Sequence, residues 1–524
     1  MIDRTFQHIS GIGPVKEQRL WVKGVTTWAA LEKLLRHGVS PHSILGSGIK
    51  AQVLPGLESF ATSKLALQWL DDLEQSQQAL NSQFYEFFLE HLPTGEHWRL
   101  IPECLSDALY LDIETTGLSK HCNYVTVVGA LFRGTFHQWT WPEPLDDLWA
   151  LLREAPVIVT FNGRLFDIPF MQHNFRSCPP PRSHLDLRPL VAKAGIKGGQ
   201  KAAEEYFGLA RAEGVAGVDG AEAVALWAKA IYGDEDSYQT LLQYNRSDVE
   251  MLPILAKRLY EHFSRELEVE VPGANKLGLP RCVVRRRAMP FSSLQAEWND
   301  RRPGLERLSQ TLIDDSGEWP TVVGIDLRGN PKNPTGFAIC RGGKVETEIL
   351  FTDDEILHKT LSIKPSIVSI DAPLFLPRGR QAVTDDSPCR ETGGIVRDAE
   401  RVLWSRQIPV YPALIRHMQG LTRRGILLAK LLKGNGIDVI ESYPGAAQDI
   451  LNIPRKGLDQ SLLRKGLEDF GFQIKSNPTH DELDAVTSAL VGYYYLAKEY
   501  EPIGAEEEGY MIVPKRTASM EWKD

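Results

Sequence analysis

The sequence predicts an α/β protein in which a small helical region precedes two α/β segments. Three observations lead to this expectation. The chain has 524 residues, too many for one ordinary hydrophobic core and enough for about three domains. Short apolar runs with strand character alternate with helical patterns in two separate intervals. Its composition, 43% hydrophobic and 24% charged, is typical of a globular rather than a disordered protein.

The charge balance and the cysteine pattern narrow the class of protein. Lysine and arginine number 59 against 68 aspartates and glutamates, a formal net charge of −9. This balance excludes a strongly basic DNA-coating protein, but it allows an enzyme that holds nucleic acid through local basic patches and metal ions. No apolar stretch approaches the roughly 20 residues that cross a bilayer, and the N-terminus lacks signal-peptide features, so we expect no membrane association. Six widely spaced cysteines without a CxxC pair argue against a zinc site or disulfides and favour a cytoplasmic location.

The order of these patterns predicts the domain organisation. Leucine, tryptophan and alanine recur at helical spacing at the start of the chain, and an arginine-rich stretch with some helix near 292–313 separates the two α/β intervals. We expect a helical region at 1–91, a first α/β domain at 92–265, an arginine-rich linker at 266–319, a second α/β domain at 320–515 and a tail at 516–524.

A set of carboxylates in the first α/β interval is the clearest sign of chemistry. Asp112 and Glu114 end an apolar strand in YLDIETTG, and alternation along a strand turns residues i and i+2 to one face. Asp167 follows the next strand in NGRLFDIP, and Tyr244 and Asp248 share one helical face in YNRSD. Carboxylates that converge on one pocket need cations, and oxygen ligands suit Mg²⁺ or Mn²⁺. Each signal alone is common, but the order DxE, NGxxFDxP and YxxxD within one domain-sized interval is not.

In this order the motifs resemble DEDD-type 3′–5′ exonucleases of the ribonuclease H-like superfamily, in the subclass with a tyrosine in the third motif. The YprB-type branch is the most similar, and the resemblance covers about residues 92–265. It implies that the four carboxylates bind two Mg²⁺ or Mn²⁺ ions and that Tyr244 helps to position the attacking water. Asn162 of the second motif is a candidate contact to nucleic acid. An intact site that binds rather than cleaves is the alternative.

Residues 9–31 are predicted to form a helix, a tight turn and a second helix, in the segment ISGIGPVKEQRLWVKGVTTWAAL. This segment resembles a helix-hairpin-helix motif, which binds the nucleic-acid backbone. Glu17 stands where many such motifs have a small residue. The alternative is a packing hairpin in which Trp21 and Trp28 are buried. The candidate contacts to nucleic acid are Gly11, Gly13, Lys16 and Arg19.

A second set of acidic residues follows the strands of the second α/β interval. Asp326 ends VVGID, Asp371 ends IVSID, Glu441 ends VIE, and Asp481 and Asp484 lie at the start of a helical pattern. Residues 320–515 look like an uncharacterised family predicted to be ribonuclease H-like nucleases. That resemblance implies metal binding by Asp326, Asp371 and Asp484, with Glu441 and Asp481 as further candidates.

Three arginines after Asp371 are candidate phosphate contacts: Arg390, Arg397 and Arg401. The second domain is either a nuclease, a module that binds a phosphorylated ligand, or an extension of the nucleic-acid surface.

Taken together, these patterns predict two ribonuclease H-like domains after a helix-hairpin-helix region. We expect a metal-dependent 3′–5′ exonuclease that acts on single-stranded DNA or RNA, branched forms included. One rival is a structure-specific endonuclease that cuts with the second set of carboxylates. The other rival is a non-catalytic nucleic-acid-binding scaffold.

Overall fold

The structure, a computed structural model, confirms the α/β class, with two mixed sheets surrounded by helices. Arg390 and the 516–524 tail lie outside the described residues. Among the helices that the structure describes, none is both long and apolar enough to span a bilayer. The described residues are 1–45, 64–211, 218–267, 279, 282–301, 304–384, 394–455, 459–475 and 477–515.

The N-terminal region is helical and shares a core with the first sheet. Trp28 and Trp69 are buried in one apolar cluster with Tyr110 of the first sheet and with Leu252 and Phe263 of a long later helix. The region is therefore packed onto the first sheet. Its helices are α1 (Pro14–Val22), α2 (Trp28–Arg36), α3 (Pro41–Leu45), α4 (Lys64–Asn81), α5 (Glu86–His91) and α6 (Ile101–Cys104), with short 3-10 helices at Ile2–Arg4 and Thr94–Leu100.

The first sheet has six strands in the order β5-β4-β1-β2-β3-β6. β1 pairs antiparallel with β2, β2 antiparallel with β3, and β4 lies parallel to β1 and to β5. The strands are β1 (Leu109–Thr115), β2 (Val125–Phe132), β3 (Thr135–Thr140), β4 (Ile158–Thr160), β5 (His184–Asp186) and β6 (Val283–Arg286). The helices around this sheet are α7 (Asp146–Glu154), α8 (Asp167–Asn174), α9 (Arg188–Lys193), α10 (Gln200–Tyr206), α11 (Gly220–Ile231) and α12 (Glu235–Arg265).

The segment expected to be a linker contributes to both cores. β6 pairs in parallel with β3 at the edge of the first sheet. Trp298 of α13 (Phe291–Arg301) is buried in a cluster with Trp141, whereas Leu305 and Leu308 of α14 (Leu305–Leu312) are buried in the core of the second sheet. The helix expected near 292–313 is thus two helices that pack on different sheets.

The second sheet has seven strands in the order β12-β13-β11-β10-β7-β8-β9. Its five strands β9-β8-β7-β10-β11 repeat the order and directions of β3-β2-β1-β4-β5. The strands are β7 (Thr321–Asp326), β8 (Thr335–Arg341), β9 (Lys344–Leu350), β10 (Ile367–Asp371), β11 (Val439–Ser442), β12 (Tyr500–Ala505) and β13 (Gly509–Pro514). The helices are α15 (Asp353–Ile363), α16 (Asp398–Ser405), α17 (Gln419–Gly434), α18 (Pro444–Leu451), α19 (Gln460–Asp469) and α20 (His480–Leu496), with a 3-10 helix at Glu506–Glu508.

The two sheet regions pack directly against each other. Cys122 of the first region is buried among Leu403 and Ile408 of the second. The Ser119 hydroxyl donates a hydrogen bond to the carbonyl oxygen of Arg406. These contacts bring the carboxyl end of β1 close to the second region.

Candidate active site

The first sheet and α12 bring three of the predicted carboxylates together. Asp112 and Glu114 lie on β1, and Asp248 lies on α12, which packs across β1 and β2. One oxygen from each of the three side chains lies within 4.8 Å of the others. Among the described residues, no other group of three acidic, histidine or cysteine side chains meets in this way. The site is therefore a cluster of oxygen donors at the end of β1.

The approach of α12 to β1 depends on a glycine and an asparagine. Gly129 is the β2 partner of Asp112, and a Cβ at Gly129 would overlap the side chain of Asn245. In this space the Asn245 amide donates to the Asp112 carboxylate at 3.0 Å and to the Asp112 carbonyl oxygen at 3.2 Å. Gln138 in turn donates to the Asn245 oxygen at 2.9 Å. These bonds hold the Asp112 side chain in one orientation.

Asp167 lies beside the cluster, in the first turn of α8. Its carboxylate accepts a 3.2 Å hydrogen bond from the backbone N–H of Ile113, between the two carboxylates of β1. The loop before it is held by Asp186, which accepts from the backbone N–H of Asn162 at 2.8 Å. Asn162 has a positive φ of 69°, and its side-chain oxygen accepts from Arg188. Asn162, a predicted contact to nucleic acid, thus also shapes the loop that delivers Asp167.

Burial makes the cluster electrostatically unfavourable when all four carboxylates are ionised. Burial raises the pKa of Asp112 and of Glu114 well above the usual range, and the charges of the neighbouring carboxylates raise both further. Burial also raises the pKa of Asp167 to about 7 and raises that of Asp248, although Arg211 opposes the shift of Asp248. Divalent cations would relieve this repulsion, and carboxylate oxygens are the ligands that Mg²⁺ and Mn²⁺ prefer.

Arg211 supplies the positive charge that the structure itself holds at the cluster. Its guanidinium is paired with the Asp248 carboxylate and with Glu204, whose oxygens lie at 2.6 and 2.8 Å. The Arg211 side chain is only 5% exposed. The sequence patterns do not identify Arg211, Asn245 or Gln138, because none of them belongs to a spacing that is specific for a metal site.

Tyr244 lies one helical turn before Asp248, as the spacing predicts, and both residues are buried on α12. Burial and the nearby charges of Asp248 and Glu114 raise the pKa of Tyr244. The hydroxyl therefore keeps its proton at neutral pH. The Lys201 ammonium lies 5.2 Å from the centre of the Tyr244 ring.

The second set of acidic residues is arranged differently. Asp326 and Asp371 are paired residues on the adjacent parallel strands β7 and β10. Between them and α20 lies Arg328, whose guanidinium is paired with Asp481 and lies 4.0 Å from Asp326. Burial by itself would lower the pKa of the Arg328 guanidinium, but the charges of Asp326 and Asp481 raise this pKa above its usual value. Asp484 accepts a 3.0 Å hydrogen bond from Gln448. A cation of the chain itself thus lies among these carboxylates.

Two residues predicted for the second site have a structural role instead. Glu441 and Arg397 are buried and joined by two hydrogen bonds of 2.7 and 2.8 Å, and Arg397 is also bonded to the buried Glu400. Glu441 further accepts from the backbone N–H of Leu374 at 2.7 Å. The expected metal ligation by Glu441 and phosphate contact by Arg397 are therefore corrected, because Arg397 is enclosed between two carboxylates and Glu441 is bonded to Arg397 and to the backbone of Leu374. Arg401 is exposed and paired with Asp398 at 2.6 Å.

The N-terminal turn differs from the expected helix-turn-helix around its glycines. A turn at Gly11, with a φ of 77°, leads into α1 through the extended Gly13, and the residues just before the turn are not helical. The Lys16 ammonium donates to the carbonyl oxygen of Gly11 at 2.6 Å, and Arg19 is exposed.

Glu17 and Trp28 both have packing roles in the N-terminal region. Glu17 is buried and accepts from the backbone N–H of Phe6 at 2.7 Å and from Arg99 at 2.9 Å. Trp28 is buried and its indole N–H donates to the carbonyl oxygen of Thr5 at 2.7 Å, whereas Trp21 is half-buried. Glu17 and Trp28 tie the turn to the rest of the N-terminal region.

Comparison with known proteins agrees with the geometry of the first region. Residues 109–260 match a family model described as the RNase_H superfamily. The matched segment runs from β1 into the last turns of α12 and contains all four carboxylates of the first set. Domains of this superfamily use divalent metals, and the fold indicates a nuclease that binds nucleic acid. A search of curated proteins finds no match to the chain.

Proposed function

We propose that the chain is a metal-dependent nuclease that removes nucleotides from the 3′ end of single-stranded DNA or, second, RNA. The observation that carries the proposal is the group of Asp112, Glu114 and Asp248, in which one oxygen from each side chain lies within 4.8 Å of the others. The 3′–5′ direction rests on the resemblance of the motif order to DEDD-type exonucleases. We also propose that the chain is organised as a helical N-terminal region followed by two α/β domains.

The residues present fit a pair of divalent ions. Asp112, Glu114 and Asp248 would share them, and Asp167 lies close enough to β1 to complete the set, since it bonds to the N–H of Ile113. The raised pKa values of Asp112 and Glu114 show that ionising these carboxylates is unfavourable, and a bound cation would offset this cost. Such ions, when bound, stabilise negative charge on the attacking and leaving oxygens of a phosphodiester.

The chain's own side chains orient these ligands and the water. Asn245 fixes the carboxylate of Asp112 and is itself held by Gln138. The protonated Tyr244 hydroxyl lies beside Asp248, where it can hydrogen-bond to a water that faces the cluster. Arg211 neutralises Asp248 as long as no other cation is bound there.

The experiment that tests the proposal compares two matched double variants on 5′-labelled single-stranded DNA and RNA with Mg²⁺ or Mn²⁺. Asp112→Ala with Glu114→Ala removes two carboxylates from β1, and Asp326→Ala with Asp371→Ala removes the corresponding strand-end carboxylates from the second region. We expect a ladder of shortened products with the unaltered chain and with the second variant, and none with the first.

Other outcomes would replace the proposal with one of its rivals. Discrete internal cuts that are lost only with Asp326→Ala and Asp371→Ala would make the chain an endonuclease that cuts with its second region. Tight strand binding without cleavage, and without divalent-ion binding in a titration, would make it a scaffold.

We also propose a cytoplasmic location. Among the described residues no two cysteines form a disulfide, and Cys104 and Cys340 are buried thiols. Free thiols are typical of a reducing compartment. Labelling of the thiols in protein isolated from cells would test this.

A further inference from the structure

A cavity of about 420 Å³ lies between the two sheet regions. One wall consists of the loop after β1 and part of α11, including Thr116 and Trp227. The opposite wall comes from the second region and includes Pro409, Asn452 and Arg455. This volume falls within the range of small-molecule sites, about 300–1,000 Å³.

The cavity is lined by neighbours of both sets of acidic residues. Thr116 lies two residues beyond Glu114, so the cavity begins on the order of 7 Å along the chain from the carboxylate cluster. On the other side, Gln448 lines the cavity and donates to the Asp484 carboxylate at 3.0 Å. A strand whose phosphate lies at the first cluster would therefore have this cavity beside it.

The chemistry of the walls fits a neutral planar ring with polar edges. The apolar part includes Tyr124, Trp227 and Ile453. The only charged side chains that line the described cavity, Arg455 and Asp449, are paired with each other through two 2.6 Å hydrogen bonds. A site with balanced charge does not select a phosphate group. An apolar cavity with a few amide groups suits a nucleobase, whose faces are apolar and whose edge bears hydrogen-bond acceptors and donors.

Asn452 lines the cavity where its two walls meet. Its amide oxygen accepts from the Thr116 hydroxyl at 3.4 Å, across the boundary between the two regions. Asn452 therefore gives the cavity wall a neutral polar group at this boundary.

We propose that the cavity is a nucleobase subsite, in which the second region supplies one wall of the substrate-binding site used by the first. The base stacks against the apolar wall, and Asn452 lies on the wall beside it. This inference rests on the proposed nuclease function and names a subsite for the same substrate.

The test compares Asn452→Asp with Asn477→Asp in the full chain. Both asparagines lie in the second region and both have a positive φ, 55° and 59°, so aspartate is tolerated equally by the two backbones. Asn477 is exposed and does not line the cavity. The probe is a single-stranded oligodeoxynucleotide with 2-aminopurine near its 3′ end, assayed for base fluorescence on binding and for kcat and KM.

We expect Asn452→Asp to raise KM about tenfold or more with a much smaller change in kcat, and to abolish the fluorescence change, because it adds a negative charge to a cavity wall whose charges are balanced. Asn477→Asp should match the unaltered chain. Gln407→Gly is a second variant, and we expect it to fold normally. Gln407 is exposed at the cavity, and its positive φ of 59° is a conformation that glycine adopts readily. It should raise KM in the same direction.

Equal KM values for Asn452→Asp and Asn477→Asp, with normal cleavage by both, would overturn the subsite and leave the nuclease proposal intact. Absence of both binding and cleavage by the unaltered chain would instead overturn the nuclease proposal. Binding of free 2-aminopurine deoxyriboside monophosphate that is lost in Asn452→Asp, with an unchanged KM for the strand, would assign the cavity to a free nucleotide and overturn the subsite.

Discussion

The two sheet regions have the same arrangement of five strands but differ at one charge. Asp112 on β1 faces Gly129 across the strand pair, and Asp326 on β7 faces Gly336 in the same way. Both glycines lie under a helix: a Cβ at Gly129 would overlap Asn245 of α12, and one at Gly336 would overlap the Asp481 carbonyl of α20. A similar architecture therefore delivers acidic side chains to a similar place twice.

The difference lies two residues after the first aspartate. In the first region this residue is Glu114, which adds a carboxylate to the cluster, and in the second it is Arg328, which pairs with Asp481. Each cluster contains one arginine of the chain, Arg211 on Asp248 in the first and Arg328 on Asp481 in the second. In the first, Glu114 adds a carboxylate at the position where the second has its arginine. The comparison teaches that strand order alone does not determine the chemistry of the site, because one side chain changes how much negative charge the cluster holds.

The largest effect should follow from exchanging these two charges. We expect Glu114→Arg to lower cleavage about a thousandfold or more, because a fixed cation would replace a metal ligand. Arg328→Glu should create a second acidic cluster, so that the chain binds additional Mn²⁺ in an electron paramagnetic resonance titration. Arg328→Gln is the control, since it removes the cation without adding a carboxylate. Unchanged Mn²⁺ binding by Arg328→Glu would show that the two regions differ by more than this charge.

The next largest effect concerns stability in the second region alone. Arg397→Met would leave Glu400 and Glu441 buried without their cation, and we expect a loss of about 3–5 kcal/mol in the free energy of unfolding. Urea denaturation would measure it. Arg401→Met, which removes an exposed arginine paired only at the surface, should cost less than about 1 kcal/mol. If Arg397→Met kept its stability but lost affinity for nucleic acid, Arg397 would be a phosphate contact after all.

The smallest expected effect is a pH dependence of the stability of the first region when no metal is present. Burial raises the pKa of Asp167 to about 7, so the folded state favours the protonated form. This contribution to stability is present below about pH 4 and is lost as the pH rises through about 7. In a chelator, Asp167→Asn should therefore melt a few degrees above the unaltered chain at pH 8 and close to it at pH 4. Added Mn²⁺ should remove the difference, and an equal difference at both pH values would contradict this origin.

The sequence was a good guide to local features of the site. Strand alternation placed Asp112 and Glu114 on one face, and helical spacing placed Tyr244 beside Asp248. It was a poor guide to the second region, where Glu441 ends a strand as a metal ligand would but is bonded to Arg397, 44 residues away. The pattern of an acidic residue at a strand end is the same in both cases, and only the partner across the core distinguishes them.

The sequence by itself determined what short-range periodicity encodes: the α/β class, the two series of strands and the order of the carboxylate motifs. Only the tertiary structure decided which charges meet. Arg211 on Asp248, Arg328 among the second aspartates and the cavity at Asn452 all join residues that are distant in the chain. The physical reason is that these partners are set by how helices pack on each sheet and how the two regions pack together, which leaves no periodic signal in the sequence.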